Sequence, residues 1–292
     1  MVDLIPFTGR TLCTRQLLLG EGPSYEPETD TAWWFNILGK ELHELQLSTG
    51  TKRVHALPRM ASVAARIDDQ SQLLAMDDGL YIRNRGTGEL SLHAPLEADK
   101  PENRCNDGRV HQSGALWIGT MGRKAEPGAG AIYHVAHGKV TLIFPGIGIT
   151  NGICFSPDGA TAYFVDTKDN RYMRVAVDPA TGLPTGKPEL FVDEHGKPGG
   201  IDGAVCDADG HVWNARWGQG RIDRYDPEGR IVARYATGAR QASCPAFLGP
   251  NLDRLFFTSA TEGMEEPVDP VEGTTCELGI KVRGRAEHSY AP

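Results

Sequence analysis

Among the places where the 292-residue chain sets a carboxylate or amide side chain directly before glycine, four recur in register ahead of apolar, strand-like runs. They are Glu21-Gly22, Asp107-Gly108 with Asn106 ahead of it, Asn151-Gly152 and Asp202-Gly203. Carboxylate and amide oxygens are hard donors, suited to a divalent cation such as Ca²⁺, Mg²⁺ or Mn²⁺. Two carboxylates among them balance the charge of such an ion. Each dipeptide alone is also an ordinary turn former, because Asp and Asn cap loops and glycine tolerates their backbone. Recurrence in register is what lifts the set above four unrelated turns.

The elements that must position these residues repeat with them. The glycines at 108, 152 and 203 lie 44 and 51 residues apart, and 22 to 108 is 86, about two such steps. Weaker equivalents near Ala64 and Cys244-Pro245 complete six units of roughly 40 to 50 residues, the period of propeller blades. Inside each unit, apolar and β-branched residues alternate with polar ones, and Asp-Gly, Pro-Asp-Gly or Pro-Glu-Gly closes the strands. ITNGICFSPDG, ATAYFVDT and YMRVAVDPATG show this in the fourth unit. The expected fold is all-β: a six-bladed β-propeller with four antiparallel strands per blade, one domain over residues 1–292. The strand-like TLCTRQLLL before Glu21, beside ELGIKVRG near the C-terminus, is expected to close the ring and remove exposed sheet edges. Residues 261–272 read as a surface excursion of the last blade. In a propeller the innermost strands run along one channel, so residues at the same phase of different repeats converge at one mouth.

Composition narrows the class. Hydrophobic residues make up 40% and charged residues 23%, with 35 Gly and 19 Pro, which excludes a coiled coil, a disordered chain and a helical membrane protein. A net charge of −8 without a Lys/Arg run argues against nucleic-acid partners. The start MVDLIPFTGRTLC lacks a basic segment followed by a long apolar one, and the six scattered cysteines contain no CxxC pair. A cytoplasmic protein with reduced, buried thiols is therefore expected, with no membrane partner and as a monomer or weak homo-oligomer.

The segments LLLGEGPSYEP, NRCNDGRVHQSGALWIGTM, ITNGICFSPDG and IDGAVCDADGHVW, in this order and spacing, resemble the signature segments of the senescence marker protein (regucalcin)/gluconolactonase family. The resemblance runs from about Leu17 to the end. It implies a six-bladed propeller holding one divalent metal ion, Ca²⁺ foremost with Zn²⁺, Mg²⁺ or Mn²⁺ as alternatives, and hydrolysing a sugar lactone. By the resemblance Glu21, Asn151 and Asp202 are the metal ligands, Asp202 also the proposed general base, and Arg104 and Asn106 contact substrate. Asp107 is a loop-shaping neighbour. The chain departs from the pattern at Ile201, where proline is common, and at Lys124, where some members carry an acidic substrate contact.

The residue types suit that chemistry. A guanidinium such as Arg104 offers a planar fork of donors to sugar oxygens, unless it merely pairs with Glu102 at the surface. A carboxylate bound to a cation is a weak base, so Asp202 serves to orient water more than to deprotonate it. The leading expectation is a metal-dependent lactonase acting on an aldonolactone such as glucono-, arabinono- or xylonolactone. Its rivals are a metal-binding propeller without turnover, or another propeller hydrolase, for which the polar Arg104, Asn106 and Lys124 are a poor match. Other motifs are weaker. DADGH (207–211) lacks the sixth-position glycine of a calcium loop, His134 and His137 have no third zinc ligand in view, and no G-x-S-x-G elbow occurs.

Overall fold

The computed structural model describes residues 2–265 and 268–292. Among them every regular element is a strand, and the strands form six blades of four antiparallel strands, the β-propeller architecture. Blades 1 to 5 each run from an innermost to an outermost strand in chain order. Blade 1 is Gly20–Glu26, Thr31–Asn36, Glu41–Gln46 and Thr51–Ala56; blade 2 is Ala61–Arg66, Ser71–Met76, Gly79–Asn84 and Leu90–Pro95. Blade 3 is Asn103–Val110, Leu116–Gly122, Gly130–Ala136 and Lys139–Ile147; blade 4 is Thr150–Phe155, Thr161–Asp166, Arg171–Ala176 and Glu189–Asp193. Blade 5 is Gly200–Cys206, Val212–Trp217, Arg221–Tyr225 and Ile231–Ala236.

The second strand of blade 1, Thr31–Asn36, is buried throughout and accordingly reads as a largely apolar run, TAWWFN. The outermost strands are solvated. Thr51–Ala56 carries Lys52 and Arg53, charges that discourage edge-to-edge pairing with another chain.

Contacts group the chain into two compact units, residues 1–56 with 196–286, and residues 57–195 with 287–292. The first holds blades 1, 5 and 6, and the second holds blades 2, 3 and 4. Each buries its apolar faces between successive blades. In the second unit Val63, Leu73, Leu116 and Ile118 fill the space between blades 2 and 3, and Trp117, Ile153, Phe155 and Phe164 that between blades 3 and 4. In the first, Trp213, Phe247, Leu255 and Phe257 join blades 5 and 6, while Tyr25, Trp34, Leu248 and Phe256 join blades 6 and 1.

Blade 6 consists of Ala242–Leu248, Arg254–Ser259, Thr275–Glu277 and, as its outermost strand, the N-terminal Arg10–Cys13. The two ends of the chain thus share one sheet, as expected, but in a different register. The pairing is Arg10 with Glu277 and Thr11 with Cys276, so of ELGIKVRG only Glu277 is in a strand. Gly279, two residues on, has φ +81 and sits against the Thr8 backbone, a conformation that ends the extended run. Leu4–Ile5 adds a fifth, parallel strand to blade 5 that two residues are too few to announce. Residues 261–265 and 268–272 belong to the expected excursion between two blade 6 strands, anchored where Leu17 donates to the Gly273 carbonyl. Residues 266 and 267 of it lie outside the described residues.

An ion-pair triad locks the terminal strand. Glu277 accepts from Arg254 through Nε and a terminal nitrogen at 2.6 Å each, and from Arg10 Nε at 3.0 Å. The Arg254 bonds hold its carboxyl below the usual carboxylate range, against the opposing effect of burial. Because the folded pKa is depressed, this stabilisation is present above about pH 4.3 and is lost as pH falls through the folded value. Glu277→Gln is expected to cost about 2 kcal/mol at pH 7. Thermal melts of both proteins at pH 7 and pH 3.5 check this: the gap in Tm narrows at the lower pH.

Candidate functional site

All six innermost strands carry a register irregularity toward their N-terminal ends. They fall between Glu21 and Ser24, Ala61 and Val63, Cys105 and Gly108, Asn151 and Cys154, Ile201 and Ala204, and Ala242 and Cys244. A bulge bends the strand and re-aims its side chains, and bulges concentrate beside active sites. Every acidic or amide residue singled out by spacing lies at one of these bulges. Each is at least nine-tenths buried: Glu21 9%, Asn106 8%, Asp107 8%, Asn151 4% and Asp202 5% exposed.

In the second unit the structure joins three of the expected site residues into one hydrogen-bonded chain. Arg104 donates to the Asn106 Oδ1 at 2.6 Å and to the Cys105 carbonyl at 2.9 Å. Asn106 Nδ2 donates to Asn151 Oδ1 at 3.0 Å and to the Thr150 carbonyl at 2.8 Å. Asn151 Nδ2 donates in turn to Thr167 Oγ1 at 2.9 Å. Arg104 is 8% exposed, which replaces the surface pairing with Glu102 by a buried role.

Asp107 does shape the loop. Its carboxylate takes the Gly108 N–H at 2.8 Å and the Ile153 N–H at 2.6 Å, tying the bulge of blade 3 to that of blade 4. Burial raises its pKa, and the Arg109 charge opposes the rise. Gly152 in the blade 4 bulge has φ +64 and its carbonyl accepts from the Tyr172 hydroxyl at 2.7 Å. A side chain at that position would be strained.

In the first unit Glu21 and Asp202 stand on the innermost strands of blades 1 and 5, which flank that of blade 6. Glu21 takes the N–H of Gly22 on one carboxylate oxygen, at 2.9 Å. The peptide carbonyl of Asp202 accepts from Asn214 Nδ2 at 2.8 Å. Blade 6 touches the backbone beside both acids. Ser243 Oγ donates to the Gly20 carbonyl, and a Cβ built on Gly203 would stand 2.4 Å from Cys244 Sγ and 2.9 Å from its Cα. This brace was only faintly legible, since the blade 6 unit lacks the acid–glycine dipeptide.

Lys124 is exposed on the turn after Leu116–Gly122, and its N–H donates to Glu126 Oε2 at 3.1 Å. No contact joins it to the Arg104 chain among the described residues. The neighbouring Arg123 reaches Asp77 at 2.8 Å. His134 is a structural group, its Nε2 2.8 Å from the Thr181 carbonyl. All six cysteines are buried, and none is in a disulfide among the described residues. Among the described residues no helix is long and apolar enough to cross a membrane.

A family model described as the SMP-30/gluconolactonase/LRE-like region matches residues 19–261. The chain belongs to that family. Relatives align with it over most of both chains. A Rhizobium meliloti protein provisionally named a sugar lactone lactonase is 57% identical over 99% of both chains. A pentonolactonase from Haloferax volcanii is 32% identical over 92% of this chain and 93% of its own. The crystal structure of regucalcin, a calcium-binding protein from Agrobacterium tumefaciens, superposes with a TM-score of 0.99 at 59% identity, covering all of both chains. What the sequence did not disclose about this family member is the supporting set around these bulge residues, Thr150, Thr167, Asn214 and Ser243. Thr and Ser carry no signal of their own, and each acts through a partner on another strand.

Proposed function

We propose that this chain is a metal-dependent sugar lactonase that hydrolyses an aldonolactone, such as glucono-, arabinono- or xylonolactone, to the aldonic acid. Glu21, Asn151 and Asp202 would hold one divalent cation, Arg104, Asn106 and Lys124 would face the sugar, and Asp202 would orient the attacking water. The observation that carries this reading is the common position of the polar residues, buried at the bulges of the innermost strands, in a chain whose full-length relatives bear lactonase names.

The residues present fit a hard cation. Two carboxylates and an amide oxygen are the hard donors that Ca²⁺, Mg²⁺ and Mn²⁺ sites use, and are unlike the nitrogen and sulfur ligands typical of zinc. Asn151 presents oxygen on the side away from Thr167. When bound, the cation polarises the lactone carbonyl and offsets charge on its oxygen. Arg104 contributes a rigid fork of donors of the kind that suits the hydroxyls and ring oxygen of the sugar. Asp202 accepts a hydrogen bond from water and aims it at the carbonyl carbon. The water oxygen bonds to the carbonyl carbon as the ester C–O bond breaks. One water proton ends on the ring oxygen, which leaves as a hydroxyl, and the other is released to solvent from the acid.

Proton release from a panel of aldonolactones tests the assignment, with spontaneous opening subtracted. Chelated protein is expected to be inactive, and Ca²⁺, Mg²⁺, Mn²⁺ or Zn²⁺ added back ranks the ions. Cation binding without turnover of any lactone would favour the calcium-binding role named for the regucalcin neighbour.

A further inference from the structure

The orientation of the Asn151 amide is set from two residues away. A guanidinium only donates, so the atom of Asn106 that meets Arg104 at 2.6 Å is oxygen. The Asn106 nitrogen is thereby turned toward the Thr150 carbonyl, which only accepts, and toward Asn151 at 3.0 Å. Asn151 must then present oxygen to Asn106, and its nitrogen goes to Thr167. Reversing either amide would set like groups against each other: nitrogen against guanidinium and oxygen against carbonyl, or nitrogen against nitrogen. The three side chains are at least nine-tenths buried, so water does not stand in for a lost partner.

We propose that Arg104 and Asn106 are positioning residues for Asn151, pinning its amide oxygen in the orientation a cation needs, whatever else they do for the sugar. This rests on the reading of Asn151 as a cation ligand. The arm that faces the lactone and the arm that holds the ion are then one hydrogen-bonded unit. An unpinned amide turns its NH₂ toward the cation for part of the time, and affinity falls in the absence of any sugar.

The test is cation affinity without lactone, using full-length protein, with Ca²⁺ followed by calorimetry and Mn²⁺ by electron paramagnetic resonance. Asn106→Ala and Arg104→Met are expected to weaken both ions about 10-fold or more, in the range found for residues that orient metal ligands. Arg104→Lys, which still donates to Asn106, is expected to stay within about threefold of the wild type by retaining the hydrogen bond. Melting curves without cation separate a folding defect from a lost orientation, and if Asn106→Ala does not fold the Arg104 pair carries the test. Wild-type affinity in both Asn106→Ala and Arg104→Met would overturn the proposal and leave the residues as sugar contacts only. A wild type that binds neither ion would overturn this proposal together with the cation site itself.

Discussion

Asp202→Ala is expected to lower kcat/KM on any aldonolactone substrate by about 10³-fold or more and to weaken cation binding, with the fold intact. The size follows from two roles lost together: a charged ligand and the acceptor that aims the water. The intact fold follows from how the residue is held. Its peptide carbonyl, and not its carboxylate, takes the Asn214 hydrogen bond that fixes the bulge. That bond survives truncation of the side chain. Steady-state kinetics at saturating cation, beside a melting curve for each protein, check the result. Wild-type turnover in the purified variant would remove Asp202 from the site.

The neighbouring position fails differently. Gly203→Ala is expected to cost about 3 kcal/mol and lower Tm by about 5 °C or more, with activity lost in proportion to unfolding. A methyl group there would stand 2.4 to 2.9 Å from three atoms of Cys244, including its Cα. Side-chain rotation can move the sulfur but not the Cα, so the innermost strands of blades 5 and 6 must part. Cys244→Gly removes the Cβ and sulfur, and the double variant should recover most of the stability lost by Gly203→Ala alone. A double-mutant cycle measures that coupling directly. Additive losses would mean that the strain lies elsewhere.

Much of this architecture was open to reading in the chain itself. Blade spacing followed from the recurrence of an acid or amide before glycine, because each blade needs a bulge at the same point and glycine tolerates the close approach there. Blade 6 was the hard case. Its bulge carries Ser243-Cys244, which uses a hydroxyl and a thiol where blades 1, 3, 4 and 5 use acid or amide, and its outermost strand comes from residues 10–13. The closing pair was placed a few residues off because apolar alternation continues through Leu278–Val282 while the left-handed Gly279 ends the strand. Local pattern carries no record of that backbone turn.

For the candidate site the division is similar. The residue types Glu21, Asn106, Asn151 and Asp202 and their repeat spacing determined which positions carry oxygen donors. A period that recurs once per blade leaves few other places for a run of acids and amides beside glycine. The direction in which those donors face was decided by tertiary structure alone. The two ends of an asparagine amide are nearly the same size, so nothing local to Asn151 selects oxygen over nitrogen. The choice is made by Asn106, 45 residues earlier, and behind it by Arg104, a cation that has nothing to accept with.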